Sequence, residues 1–243
     1  MAPSTTNTRS GVYAYTALFA PSRLLSPNSQ PGADWLRQEI AGVQGSPSER
    51  EIDSVSAGHP SFGMLAGFGF AKLKQEAESG IVLNDLNVSV GSEVQALALA
   101  NSLLGKEDVF TVTYAGHDRV GKMVAARTLM LGLPLPPRER AGATSNLDLS
   151  DILSLGGLAP IPPLSVALAQ LHEELWQPDL PMPEIVAALQ EKDHRPLVRT
   201  MLWQLYAISR VYLSMYWGRH YSLAYADTSL ATMIGPKPAN SNA

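Results

Sequence analysis

The chain contains 243 residues, of which 45% are hydrophobic and 16% charged, and it carries a net charge of −4 and no cysteine. This length suffices for one large domain or two small ones. The slightly acidic balance excludes a protein that coats nucleic acid through many lysine and arginine contacts with phosphates, and the lack of cysteine excludes disulfides, thiolate metal ligands and thiol nucleophiles.

Both chain ends are polar, and no membrane segment is expected between them. Residues 1–10 and 234–243 are rich in Ser, Thr, Asn, Pro and Ala, a composition typical of flexible tails. The first of them lacks the apolar core of a signal peptide, and no apolar run reaches the roughly 18 residues that a membrane span needs. We therefore expect a cytoplasmic protein with a single domain over residues 11–233.

Three strands are predicted in the first part of the chain. The stretches Gly11–Phe19, Phe62–Lys74 and Gly80–Val90 read as strands from their residue alternation and composition. A Pro-, Ser- and Gly-rich insertion at 26–61, with one short helix around Asp34–Ile40, separates the first two. Because only a short turn joins the second and third strands, we expect them to pair antiparallel.

A helix is predicted to follow, beginning at Ser92. The sequence Ser92-Glu93-Val94-Gln95 is a capping box, in which the Ser hydroxyl and the Gln side chain satisfy backbone N–H groups of the first turn. The residues predicted to share one face of this helix are Val94, Leu97, Asn101 and Leu104.

The next segment reads as strand, turn and helix. Val109–Tyr114 is β-branched and aromatic, which is typical of an interior strand, and Ala115-Gly116 breaks it. The helix is indicated by apolar residues at helical spacing, namely Val120, Met123, Val124 and Leu131. Gly132 then ends it.

The remainder is predicted to be mainly helical. A short segment at 146–153 precedes helices at about Leu164–Leu175, Pro183–Gln190 and Pro196–Gly218. The last helix is indicated by residues at spacings of three and four, namely Leu197, Met201, Leu205, Ile208, Tyr212 and Met215. The order of elements predicts an α/β fold with a mixed five-stranded sheet flanked by helices and a helical C-terminal part.

The strand–turn–helix segment resembles the second motif of DEDD-type 3′–5′ exonucleases, in the branch related to the proofreading domain of family-B polymerases. In that family an aromatic-Asn-Gly turn ends the strand, a Phe-Asp-x-Pro follows, and an Arg lies about two helical turns later. Tyr114, Gly116 and Arg127 fit this pattern, whereas Val120 stands in the place of the catalytic Asp. The Asn, Phe and Pro are replaced by Ala115, Arg119 and Lys122.

The other two motifs of the family depart from its pattern in the same way. Its first strand carries Asp-x-Glu-Thr, and here Thr16 remains while Tyr13 and Tyr15 occupy the positions of the acids. Its third motif, Tyr-x-x-x-Asp, corresponds to Trp203–Ala207, with Ala207 at the acid. Since Mg²⁺ and Mn²⁺ need carboxylate oxygens, the resemblance implies a ribonuclease-H-like domain that has lost its metal-dependent activity.

The resemblance implies a non-catalytic scaffold or regulatory subunit in nucleic-acid processing, with no cofactor. Its candidate residues for binding single-stranded DNA or RNA are Arg119, Lys122, Arg127 and Tyr114, the cations through phosphates and the ring by stacking. The alternative is that Arg119 and Lys122 are solvated residues of a helix surface.

Two other functions stay open. An active exonuclease with Mg²⁺ or Mn²⁺ would need relocated acids, and Asp118, two residues before Val120, is the nearest candidate. Asp is also common at helix starts, so the alternative reading of Asp118 is a helix cap, and Asp148 is predicted to cap another helix. A structural or assembly protein, such as a viral particle component, would suit the polar tails.

The C-terminal part, Tyr206–Tyr225, is unusually aromatic. It contains more aromatic rings than one face of a helix can bury, namely Tyr212, Tyr216, Trp217, Tyr221 and Tyr225. Because Tyr and Trp are enriched at interfaces, we expect a protein partner or self-association through this helix. The alternative is that the rings pack over the sheet.

Overall fold

The computed structural model describes residues 11–21, 57, 59, 63–78, 80–106, 109–114, 116–134, 145–154, 156, 158–170, 180–218 and 222–226. Both predicted tails lie outside the described residues. So does the predicted insertion at 26–61, with its short helix, apart from Ala57 and His59.

The described chain forms a mixed sheet with helices on both faces. The strands are β1 (Val12–Pro21), β2 (Gly63–Ala77), β3 (Gly80–Val90), β4 (Phe110–Thr113), β5 (Ser145–Asp148) and β6 (Ser222–Tyr225). The helices are α1 (Glu93–Leu104), α2 (His117–Met130), α3 (Leu149–Leu153), α4 (Leu164–Gln170), α5 (Met182–Glu191) and α6 (Arg195–Tyr216). The predicted α/β class with a mixed sheet is confirmed.

The six strands are arranged in the order β5-β4-β1-β2-β3-β6. β2 runs antiparallel to both of its neighbours, as predicted for the pair it forms with β3, and all other neighbouring strands are parallel. The prediction of five strands was wrong by one, because β6 pairs with Gly80–Leu83 at the start of β3.

Both faces of β1 are buried, which makes it the centre of the domain. On one face, Tyr13 and Tyr15 pack in a hydrophobic cluster with residues of α1 and α2. On the other face, Ala14 belongs to a cluster built mainly by α6, including Trp203 and Ala207. Alternate residues of β1 therefore contribute to separate cores.

Helix α1 begins as predicted, but it buries a different face. The Ser92 side chain accepts a hydrogen bond from the backbone N–H of Gln95, which confirms the N-cap. The buried residues are Ala96, Leu97, Ala100 and Leu103. Val94 is 51% exposed, because the preceding Glu93 side chain points into the protein toward α2 and β2.

Helix α6 is the longest helix described and lies across the sheet. Its bounds agree with the predicted 196–218 to within two residues, and its apolar stripe packs against β1. The Tyr225 hydroxyl of β6 donates to the backbone carbonyl of Leu202 and so ties the edge strand to this helix. None of the helices in the described part of the chain is long and apolar enough to cross a bilayer.

Candidate functional site

A cleft with a volume of about 460 Å³ opens beside β1 and β4, just beyond the point where their parallel pairing ends at Ala14 and Val112. In the sheet, β1 is followed by β2 on one side and β4 is followed by β5 on the other, and ligands of open α/β sheets bind where the strand order diverges in this way. The lining residues are Thr16, Ala17, Phe19, Thr113, Tyr114, Gly116, Arg119, Val120, Ile161, Pro162, Pro163, Leu164, Gln204 and Ile208.

The base of the cleft is polar but uncharged. The hydroxyl of Thr16 donates to Oε1 of Gln204 at 2.7 Å and thereby joins β1 to α6. The hydroxyl of Thr113 donates to the backbone carbonyl of Tyr15 at 3.2 Å and joins β4 to β1. These bonds hold β1, β4 and α6 in a defined geometry.

One wall of the cleft is the segment that precedes α4. The hydroxyl of Tyr114, at the end of β4, donates to the backbone carbonyl of Pro162 at 2.5 Å. This bond fixes the half-buried Tyr114 ring against the wall. The predicted nucleic-acid residue Tyr114 therefore does line the cleft, with its hydroxyl engaged in positioning the wall.

The entry to α2 is held by Asp148. Its Oδ2 accepts the N–H of Gly116 at 2.7 Å, and its Oδ1 accepts both the N–H and the hydroxyl of Ser150. The prediction that Asp148 caps a helix is confirmed for α3. Because both oxygens are used, this carboxylate joins β5, α3 and α2 as a structural element.

Arg119 is the only charged side chain among the described residues that line the cleft. It is exposed, and the centre of its guanidinium lies 5.3 Å from the centroid of the Phe19 ring, a cation–π distance. Lys122 is exposed on the same helix, three residues later. Arg119 thus places a positive charge at the cleft, whereas Lys122 is not among the described residues that line it.

The four positions that the resemblance matches with metal ligands are not brought together. Tyr13, Tyr15 and Val120 share the cluster beneath α1 and α2, whereas Ala207 lies in the core on the opposite face of the sheet. Of the four, Val120 alone borders the cleft. The reason is the alternation of strand residues, which sends Thr16, and not its neighbour Tyr15, toward α6.

Arg127 does not lie at the rim, and the expectation that it contacts nucleic acid is corrected. Its side chain is 4% exposed and forms two 2.8 Å bonds with the Glu93 carboxylate. Oε1 of Glu93 also accepts the N–H of Leu65 at 3.1 Å. This buried group joins α1, α2 and β2 and leaves Arg127 closed to a phosphate.

The alternative acid, Asp118, lies in the first turn of α2, and its side chain is outside the described residues. The residue at the N-cap is Gly116, so Asp118 is not the N-cap residue, although it lies near the positive end of the helix. Among the described side chains, no group of three His, Asp or Glu residues is placed to hold a metal ion.

The aromatic residues of the C-terminal part divide into two groups. Tyr212 and Tyr225 are buried, with Tyr212 against Phe110 of β4, so packing over the sheet accounts for them. Tyr216 and Trp217, at the end of α6, are 54% and 37% exposed, and the Tyr216 ring lies 5.3 Å from that of Tyr212. Tyr221 is outside the described residues.

Sequence reasoning missed Gln204, Phe19 and the wall at 161–163. The one available signal was Thr16, which the resemblance retains. It did not lead to its partner Gln204, because the two residues lie 188 residues apart in sequence. Comparison of the chain with protein-family models, with curated proteins and with solved structures gave no match.

Proposed function

We propose that this chain is a ribonuclease-H-like domain without metal-dependent hydrolytic activity, acting as a scaffold or regulatory subunit in nucleic-acid processing. The observation that carries the proposal is a cleft beside β1 and β4 whose described lining residues include no carboxylate. The order of elements, three strands, helix, strand, helix, strand and C-terminal helices, is the order in that exonuclease family and supports the fold.

The chemistry of the lining favours binding over hydrolysis. Metal-assisted phosphodiester hydrolysis needs carboxylate oxygens that hold two cations on the scissile phosphate. The described lining residues supply hydroxyls, an amide, a guanidinium, rings and aliphatic groups, and none of them is Asp or Glu. A cleft of this kind suits a ligand that brings the negative charge itself.

Single-stranded nucleic acid is the ligand class that we propose. Arg119 can contact a backbone phosphate without a metal, since its guanidinium is exposed and already oriented by the Phe19 ring. With one lining cation, binding should be weak and only modestly dependent on salt, since each phosphate contact to a single strand contributes about 0.7 to the slope of log K against log salt.

Fluorescence anisotropy with labelled single-stranded DNA and RNA tests this proposal. We expect Arg119→Gln to weaken binding several-fold and to reduce the slope of log K against log salt by about 0.7, the contribution of one phosphate contact to a single strand. Lys74→Gln is the matched control, because Lys74 is an exposed cation on β2 near the opposite end of β1. Flat isotherms at low salt, or equal binding by wild type and Arg119→Gln, would remove the proposal.

A further inference from the structure

The loop between α3 and α4 contains a proline-rich segment, Leu158–Pro163, and its last three residues line the cleft. Each proline fixes its own φ near −65°, about the polyproline II value, and each residue that precedes a proline is excluded from helical backbone. These two rules together cover every residue of Ala159–Pro163. The peptide bonds before the three prolines are trans, and the segment is neither helix nor strand. Leu158 lies in a turn and Ala159 at a bend, so the part of the segment that these rules restrain toward polyproline II geometry is Pro160–Pro163.

The burial of the segment repeats every three residues. Ala159 and Pro162 are half-buried, while the residues of the other two edges are exposed, namely Leu158, Ile161, Pro160 and Pro163. A polyproline II helix has three residues per turn, so within Pro160–Pro163 the edge of Pro162 rests on the protein, while Pro160 and Pro163 share one edge that faces solvent and Ile161 lies on the other. Ile161 is 50% exposed, and Leu158, in the turn that precedes these four residues, is 88% exposed.

The segment is fixed at both ends and in the middle. The N–H of Ala159 donates to the carbonyl of Ser154 at 2.9 Å, and Tyr114 holds the carbonyl of Pro162. The carbonyl of Pro163 accepts two N–H groups of the first turn of α4. A partner would therefore meet a segment that is already in its extended form, which lowers the entropic cost of binding.

We propose that Leu158–Pro163 is a docking segment for a protein domain whose aromatic-lined groove recognises polyproline II helices. Pro160 and Pro163 have the Pro-x-x-Pro spacing that places both rings on one edge, and such grooves bind this edge together with its neighbour. The segment carries no charge, so recognition depends on the apolar edges. This docking surface stands whether or not the cleft binds nucleic acid.

The test is binding of the full chain to an array of immobilised domains of the SH3, WW and EVH1 types. We expect at least one domain to bind the wild type and to lose tenfold or more in affinity for the double variant Pro160→Ala, Pro163→Ala. Pro183→Ala, which changes an exposed proline in the first turn of α5, is the matched control and should bind like the wild type.

A second variant separates lost contact from lost folding. Leu158→Ser alters a side chain that is almost fully exposed, so it should weaken binding while the unfolding midpoint stays unchanged. The proposal is overturned if no domain of the array binds the wild type, if the double proline variant binds equally well, or if Leu158→Ser has no effect.

Discussion

The buried pair of Arg127 and Glu93 gives the sharpest prediction about this fold. The Arg127 and Glu93 side chains are 4% and 13% exposed, and two 2.8 Å bonds join them. Arg127→Met would keep most of the apolar stem and leave the Glu93 carboxylate with the Leu65 N–H as its described partner. Removing one member of a buried ion pair costs about 3–5 kcal/mol, and the partial exposure of Glu93 favours the lower end, about 3 kcal/mol.

Urea unfolding followed by circular dichroism measures this loss. Glu93→Gln retains an oxygen for the N–H of Leu65, so the double variant with Arg127→Met should be more stable than the sum of the single losses predicts, by about 1–3 kcal/mol. A change within about 0.5 kcal/mol for Arg127→Met, the behaviour of a surface residue, would refute the buried role. Loss of nucleic-acid binding without loss of stability would restore Arg127 as a contact residue.

Three further predictions concern backbone and titration. Gly91→Ala should destabilise the fold by about 1–3 kcal/mol or more, because φ is +77° and the new Cβ would lie 2.2 Å from the His194 ring. Gly121→Ala, at an open position of a helix, should be neutral or stabilise the fold by up to about 1 kcal/mol. Equal unfolding midpoints of the two variants would contradict this. Burial raises the pKa of the Tyr225 hydroxyl above its ordinary 10.0, so the stability that this hydroxyl contributes is complete below pH 10 and falls as the pH rises further. Tyr225→Phe should reduce this loss of stability above pH 10. An unchanged profile of stability against pH would contradict the prediction. Hydrogen bonds from the arginine two residues later lower the pKa of Asp193 from 3.8 to about 2, which NMR titration of its carboxyl checks, with a value near 3.8 as the contrary result.

Where an element depends on its own residues, the sequence was sufficient. Alternation located β1, β2 and β3, and the bounds of β3 agree with the predicted Gly80–Val90. The capping box located the start of α1 at Ser92, and the apolar stripe located α6. These signals are local, since capping, turn chemistry and periodicity act within a few residues.

Features that depend on distant partners were not predictable in this way. β6 has four residues and exists through its pairing with the start of β3, more than a hundred residues earlier. The buried face of α1 follows from the pairing of Glu93 with Arg127, which no local pattern reveals. Periodicity predicted that Val94 faces the core, but the contact between Glu93 and Arg127 turns this side chain outward.

The cleft shows the same limit at the level of function. Both faces of β1 are apolar, so its pattern does not tell which alternate residues face the cleft. The resemblance matched Tyr13 and Tyr15 with the catalytic acids, but Thr16 is the residue that lines the cleft. The prediction that Arg119 and Tyr114 belong to one site agrees with the lining of the cleft, because both come from the strand–turn–helix segment read as a unit.

The most direct test of a non-catalytic cleft is degradation of 3′-labelled single-stranded DNA and RNA with Mg²⁺ and with Mn²⁺. We predict that the wild type leaves both labelled strands intact under conditions in which it binds them. Metal-dependent shortening by the wild type would contradict the central claim, and its loss in Asp118→Asn, but not in Arg119→Gln, would identify Asp118 as the relocated acid.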